Sequence, residues 1–359
     1  MDAAPFDLGA NDHEARLENA IRMTAPGTAL RHALDMIIAG HMGALICVGD
    51  TENVLAAGDD GFKLDVSFTA NRLFELCKMD GAVVLDKDLT KILRANYHLN
   101  PDPSLPTTET GTRHRTAARM SLLTKAVVAT VSERRQVVNV YVDGHGFDLK
   151  PVSDLMVSVN QLTVAMQNTR QQLDRSLLRL TSLELDNYVT LGDVTNIFYL
   201  FETLMTADEE LDGCILQLGR EGRTVAMQRG ELLGSMDEAY TLMIRDYAAD
   251  SSEEAARAIR AKLHDADNTK LRSAKFVAKI LGYSDERGED SIMTPLGLRT
   301  LSRVSVVREG MADKLVDEYG SLQEVLEAVD DDPARLGEIG VKNPGVLANS
   351  LHRMWGKNE

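Results

Sequence analysis

Aromatic residues are scarce in this chain, which has one Trp, eight Tyr and eight Phe among 359 residues. That argues against large aromatic interfaces or a nucleic-acid surface built on rows of stacking rings. Cysteine is equally thin. Cys47, Cys77 and Cys214 are far apart and sit among apolar residues, so they read as reduced core residues rather than redox or metal groups. No run of 18 apolar residues occurs, so no membrane-spanning helix is expected. The first 25 residues are polar and acidic (Asp2, Asp7, Asp12, Glu14, Glu18), unlike a secretory signal, and a cytoplasmic protein is expected. Two familiar phosphate-binding signatures are missing as well. No Gly-x-Gly-x-x-Gly opens a helix after a strand, and no Gly-x-x-x-x-Gly-Lys-Ser/Thr exists, so a P-loop is excluded. Positive charge is in deficit: 39 Lys and Arg face 55 Asp and Glu, a net charge of −16. A protein that coats nucleic acid non-specifically is not made this way. The net charge is −4 over residues 1–150, −9 over 151–290 and −3 over 291–359. Any DNA contact must therefore come from a local patch or from backbone amides.

What is present is a chain long enough for two or three domains. Over residues 1–150 helical and strand patterns alternate. Leu30, Ala33, Leu34, Ile37 and Ile38 recur at helical spacing and precede the strand-like run Ala44–Val48. A helical stretch through Leu73, Phe74 and Leu76 precedes Ala82–Leu85. After a Pro-rich loop (Pro101, Pro103, Pro106) the apolar runs Ala126–Val131 and Val137–Val142 flank a polar turn and predict a hairpin. Interleaved helices and buried strands imply an α/β sheet domain. From Ser153 the period changes, and Leu155, Val159, Leu162, Met166, Leu173, Leu177 and Leu180 form one apolar seam. The seam fits a core-facing stripe or a contact between subunits. Residues 282–290 have no periodicity and read as a linker, and helix–turn–helix units follow. The expected domains are 1–150, 151–285 and 286–359.

Three short segments carry candidate chemistry. Asp80-Gly81-Ala82 stands just before a buried strand, where a carboxylate could bind metal or take a proton and Gly admits a close ligand. Asp-Gly is also an ordinary turn. Gly111-Thr112-Arg113-His114-Arg115-Thr116-Ala117 opens the helix Ala117–Leu123 and gathers two arginines, a hydroxyl and helix amides. It is a polyphosphate cradle or a charged surface turn. Ser132-Glu133 ends a strand, where a hydroxyl and a carboxylate could meet phosphate and metal. His264-Asp265 imitates a metal pair, but no ligand cluster lies near it in sequence, and a solvated face is the plainer reading.

Taken in order, these segments resemble the diadenylate cyclase family, and within it the DNA-integrity-scanning (DisA) branch. The matching runs are Lys78–Leu85, Leu99–Pro103, Glu109–Ala117 and Ala126–Val128 to Ser132-Glu133. The resemblance extends through the helical spine to the C-terminal hairpins. It implies that two ATP molecules face each other across a two-fold axis, each 3′-hydroxyl attacking the other's α-phosphate, to give cyclic di-AMP and pyrophosphate. It also implies identical half-sites from apposed subunits, and two tetrameric rings forming an octamer. By resemblance Asp80 holds Mg²⁺ or Mn²⁺ and helps deprotonate or orient the 3′-hydroxyl, with Glu133 a second metal candidate. Gly81 and Ala82 admit the nucleotide and Leu99 packs by adenosine. Thr112, Arg113, His114, Arg115 and Thr116 hold the triphosphate, with Ser132 adding a donor; His114 is assigned to phosphate binding rather than general base work. Catalysis is then positioning and charge stabilisation, in which Asp80, Arg113, His114 and Arg115 act directly.

The last segment resembles a tandem helix-hairpin-helix module, whose backbone N–H groups meet DNA phosphates without reading sequence. Arg303, Arg308, Gly340, Lys342, Asn343 and Arg353 are the expected contacts. The usual hairpin has two glycines; here Gly340 is kept, Glu338 stands at the other position, and Val304–Arg308 has none. The resemblance implies DNA, branched or damaged, as a partner coupled to synthesis, and a nucleoid-associated location. Two other classes remain as alternatives. One is a nucleotide-sensing DNA binder without turnover. The other is a helix-hairpin-helix nuclease, for which Asp330-Asp331-Asp332 is the sole acidic candidate.

Overall fold

In the computed structural model, which describes residues 13–284, 287–307, 310–337 and 339–354, the strand-forming runs of the first 150 residues join one mixed sheet. Its strands are β1 (Ala44–Val48), β2 (Gly58–Asp59), β3 (Phe62–Ser67), β4 (Ala82–Leu85), β5 (Lys91–Leu99), β6 (Val127–Ser132), β7 (Val137–Val142) and β8 (His145–Leu149). The order is β2-β5-β4-β1-β6-β7-β8, with β3 also paired to β5. Only β1 and β4 run parallel, Ile46 opposite Val83 and Val48 opposite Leu85. All five residues of β1 are buried, because helices cover both faces of the sheet, and a strand so placed reads as an unbroken apolar run.

One face, through Ile46, Val48, Val83 and Leu85, packs on Ala20 and Met23 of α1 (His13–Met23), Leu30, Leu34 and Ile37 of α2 (Ala29–Ala39), and Leu73 of α4 (Ala70–Leu76). The other, through Leu45, Cys47, Ala82 and Val84, packs on Val54 of α3 (Thr51–Ala56) and Ala117, Ala118 and Met120 of α5 (Thr112–Leu123). Each fully buried Val, Ile or Leu contributes about 1.5–3 kcal/mol over its exposed state. Burial also pushes the thiols of Cys47 and Cys77 up to about 12, as expected of inert core cysteines. The predicted hairpin is present as β6–β7, closed by the Gln136 amide on the Ser132 carbonyl at 2.8 Å. The sequence reading starts α5 at Ala117, whereas the helix begins at Thr112, because the backbone of Gly111 accepts the first helical bond from Arg115.

The seam lies on one helix of 34 residues, α6 (Val152–Leu185), about 50 Å long at 1.5 Å per residue. Six of its seven seam residues are buried within the single chain, and Leu162 is half-buried. The core-facing reading therefore holds. The helices α7 (Leu191–Leu218), α8 (Arg223–Leu233), α9 (Met236–Tyr247), α10 (Glu253–His264), α11 (Asn268–Leu271) and α12 (Ala274–Ile280) complete the spine. The linker segment is tied to the start of α7 at its end: Gly192 donates to the Glu289 carbonyl, and just beyond it Leu191 donates to Ser291 and Met293 to Val189, each at 2.9 Å.

The hairpin helices are α13 (Leu298–Ser302), α14 (Met311–Tyr319), α15 (Leu322–Asp331) and α16 (Pro344–Met354). They share an apolar core through Leu301, Leu315, Leu326 and Leu347. By compactness the chain forms two units, Met1–Gln161 with Leu211–Met227, and Leu162–Glu210 with Gln228–Glu359. Within the second, Asp246 of α9 caps α13 by accepting from the amides of Gly297, Leu298 and Arg299 at 2.9, 2.6 and 3.0 Å. Glu184 of α6, fully buried, accepts from Arg299 Nη2 and Thr300 Oγ1 at 2.6 Å and from Tyr247 Oη at 2.7 Å.

Candidate active site

A cleft of about 530 Å³ opens at the end of the sheet where β1 and β4 begin and β5 and β6 finish. Parallel α/β sheets usually bind ligands at the carboxyl ends of their strands; here the parallel pair presents its amino ends. Leu45, Gly81, Leu99 and Ser132 line the cleft from these four strands. Gly81 has φ +87°, and a Cβ there would lie 2.9 Å from the Asn96 carbonyl carbon of β5, so only glycine lets the strand entrance close up.

The N-terminus of α5 forms the opposite wall, with Gly111, Thr112, Arg113, His114 and Thr116. Its N-cap is Gly111, which has no side chain to accept the first-turn amides. Those amides, with the helix dipole, make a site for an anion. Among the described residues neither the Arg113 nor the Arg115 side chain has an ion pair or hydrogen bond. The Arg113 guanidinium lies over Gly43, where a Cβ would stand 2.8 Å from its Cζ. Arg134, from the β6–β7 turn, adds a second cation to the lining. Two arginines beside open helix amides suit a polyphosphate.

Of the residues singled out in the sequence, Gly81, Leu99, Thr112, Arg113, His114, Thr116, Ser132 and Glu133 line the cleft. Asp80 is exposed beside it, its carbonyl accepting from Asn96 Nδ2 at 2.8 Å. Ala82 is wholly buried behind Gly81, and Arg115 is exposed one position beyond the lining helix face. Leu45, Tyr97, His98 and Arg134 also line the cleft, outside the three sequence segments. Tyr97 is held by its hydroxyl on the Leu55 carbonyl at 2.7 Å. No residue spacing announces these four, because pairing across the sheet brings them in.

His114 is buried, with Nδ1 at 2.9 Å from Tyr141 Oη and 3.1 Å from Thr130 Oγ1. Tyr141 Oη donates to Glu109 Oε1 at 2.9 Å. Burial holds the His114 pKa below its ordinary value; Glu109 opposes that shift, while Arg135 and Arg113 add to it. Burial and Glu109 push the Tyr141 phenol up.

Asp80 and Glu133 are the carboxylates offered to a cation. Among the described residues no group of three or more His, Cys, Asp or Glu is placed to hold a metal. A divalent ion here would need oxygens from a ligand, the arrangement Mg²⁺ adopts with one or two carboxylates and phosphates. His264 and Asp265 are both exposed, in keeping with a solvated face, and the His264 ring nitrogens stand 3.5 and 3.6 Å from the carboxylates of Glu202 and Glu209.

In the second unit Arg303, Lys342, Asn343 and Arg353 are exposed and without side-chain partners among the described residues. Gly340 turns at φ +99° just before α16, whose first bonds end on the Asn343 carbonyl. Arg308 and Glu338 lie outside the described residues. No helix among those described is long and apolar enough to cross a membrane.

Comparison with known proteins gives the same pattern. Residues 31–146 match the family model described as DisA bacterial checkpoint controller nucleotide-binding, and residues 149–289 match the DisA bacterial checkpoint controller linker region. The DNA integrity scanning protein DisA of Corynebacterium glutamicum is 40% identical over 343 residues, covering 94% of this chain and 93% of that protein. Those of Symbiobacterium thermophilum and Streptomyces avermitilis are 37% and 35% identical. They cover 93% and 96% of this chain and 94% of each relative.

Proposed function

The chain belongs to the DisA family of diadenylate cyclases, which join two ATP molecules into cyclic di-AMP, and on that premise we propose that the cleft is one half of the reaction site. The observation that carries this reading is the meeting of Gly81, the uncapped N-terminus of α5 and Ser132 at one end of the sheet. The triphosphate lies against the α5 amides and Arg113, with Arg115 and Arg134 at the rim. Ser132 and Thr112 add hydroxyl donors. The nucleoside enters over Gly81 towards Leu99 and Leu45.

Asp80, at the edge of the cleft, would hold Mg²⁺ or Mn²⁺ together with the substrate, and Glu133 is the carboxylate that lines the cleft itself. When bound, the cation neutralises charge on the reacting phosphate. Asp80 also steers the 3′-hydroxyl and takes its proton. Each 3′-oxygen forms a bond to the α-phosphorus of the other ATP as the bond to the bridging oxygen breaks, and pyrophosphate leaves. The arginines and amides meet charge where it develops, which is most of what phosphoryl transfer requires.

A single cleft holds one ATP, so the reaction needs a second copy facing the first. We assign an assembly of apposed subunits, an octamer, and a DNA contact made by Arg303, Gly340, Lys342, Asn343 and Arg353. DNA branched or damaged in structure biases synthesis through the spine, in a cytoplasmic, nucleoid-associated protein.

The test is incubation with ATP and Mg²⁺ or Mn²⁺, with products identified by mass spectrometry and Asp80→Asn alongside. Cyclic di-AMP from the wild type, and none from an Asp80→Asn protein of unchanged oligomeric state, is expected. ATP bound without any cyclic product under either metal would overturn the cyclase reading in favour of a nucleotide sensor without turnover.

A further inference from the structure

Beneath the cleft, a chain of hydrogen bonds runs from Glu109 through Tyr141 to His114, and the condensation as described makes no use of it. The proton positions follow from the donor and acceptor inventory. A carboxylate can only accept, so the Tyr141 hydroxyl gives its single proton to Glu109 Oε1 at 2.9 Å. Tyr141 Oη is then left as an acceptor for His114 Nδ1, 2.9 Å away. Thr130 Oγ1, at 3.1 Å from the same nitrogen, has the Asn139 carbonyl at 3.5 Å as its own acceptor. The imidazole proton therefore sits on Nδ1, and in the neutral ring Nε2 carries a lone pair. The ring edge that includes Cδ2 faces the N-cap of α5: a Cβ on Gly111 would stand 3.2 Å from it. That is the open end of the helix, where the anion goes.

A lone pair aimed at a phosphate oxygen repels it; a proton there attracts it. We propose that Glu109 and Tyr141 are positioning residues that lock His114 in its Nδ1–H tautomer, so that His114 is neutral in the free site and takes up one proton at Nε2 as the triphosphate binds. This rests on reading the cleft as an ATP half-site. The charged groups around the ring set the direction. Glu109 precedes α5 and Asp148 lies on β8, and both favour imidazolium; Arg113 on α5 and Arg135 in the β6–β7 turn oppose it, as does burial. Free His114 is accordingly held below its ordinary pKa, and a triphosphate raises it. Between the free and bound values binding consumes a proton, so affinity weakens as pH rises through that window, by about tenfold per pH unit.

The probe is an ATP analogue with a methylene between its α- and β-phosphorus, bound with Mg²⁺ to the full chain. Calorimetry in two buffers of different ionisation heat counts protons taken up per site. Wild type should take up close to one more proton than His114→Gln, whose amide donates without titrating. Tyr141→Phe and Glu109→Gln should take up fewer, with the affinity profile displaced to lower pH. Arg113→Ala should weaken binding and displace the profile to higher pH, because Arg113 helps hold the His114 pKa down. Equal uptake by wild type and His114→Gln overturns the proposal and leaves the half-site intact. A Tyr141→Phe profile superimposable on wild type removes the lock. No binding of the analogue by the wild type overturns the half-site reading, and this inference with it.

Discussion

Replacing Arg299 by Met should cost the second unit about 3–5 kcal/mol, the usual result of removing one partner from a buried ion pair. Glu184 is fully buried and Arg299 is 3% exposed, so water cannot replace the lost cation. Glu184 would keep two neutral donors, Thr300 Oγ1 at 2.6 Å and Tyr247 Oη at 2.7 Å, but no opposite charge. Met is close to Arg in volume, so little of the loss comes from a cavity. The penalty also has a pH signature. Burial, with Glu184 close by, pushes the Asp246 carboxyl up to about 7. A folded-state pKa above the unfolded one gives stability that is complete at low pH and is lost as pH rises through 7. Arg299 is among the groups that lower it, so its loss moves that pKa higher still and makes the variant suffer more at pH 8 than at pH 5. The assay is urea unfolding at both values, with separate transitions fitted because the chain has two compact units. Hydrogen exchange over α13 identifies the transition that shifts. A loss below about 1 kcal/mol at pH 8, far under the expected range, or a larger loss at pH 5, would refute the reasoning.

Two further outcomes are expected. Gly81→Ala forces a Cβ to 2.9 and 3.0 Å from backbone atoms of Asn96 and Tyr97 at φ +87°. The left-handed conformation and the crowding together cost about 2–5 kcal/mol, seen as a lowered Tm and a raised KM for ATP; an unchanged Tm would contradict the geometry. Lys342→Glu on the exposed turn before α16 should weaken DNA binding several-fold and flatten its salt dependence, leaving DNA-free synthesis intact. Unchanged DNA affinity in a filter or polarisation assay would remove this turn from the interface.

Buried elements with a simple period were legible in the sequence. β1 and β4 are covered on both faces and read as apolar runs, and α6 shows its seam. β5 was not legible, although it supplies Tyr97, His98 and Leu99 to the cleft. Ile92, Ala95 and Tyr97 are its buried positions, and Asn96 has φ +50°, so the alternation is broken by an irregularity in the pairing. The edge strand β8 (His-Gly-Phe-Asp-Leu) has no apolar run at all. At the site, Gly81, Arg113 and Ser132 were found through motifs. Leu45 and Tyr141 were not, because their part depends on which strands become neighbours. The start of α5 was misplaced for a related reason. Thr112, Arg113, His114 and Arg115 carry no apolar period, yet they form the first turn of the helix, with its amides open.

Gly43 stands just before β1. Its missing side chain is the space into which the Arg113 guanidinium settles. A larger residue at position 43 would occupy that space and hold the guanidinium further forward. A methyl group at that point would meet only the far end of a flexible side chain, which can swing forward at little cost. Position 43 thus acts as a rear stop for the arginine. Changing it alters the reach of the cation towards a bound phosphate while its charge and its place in α5 stay the same.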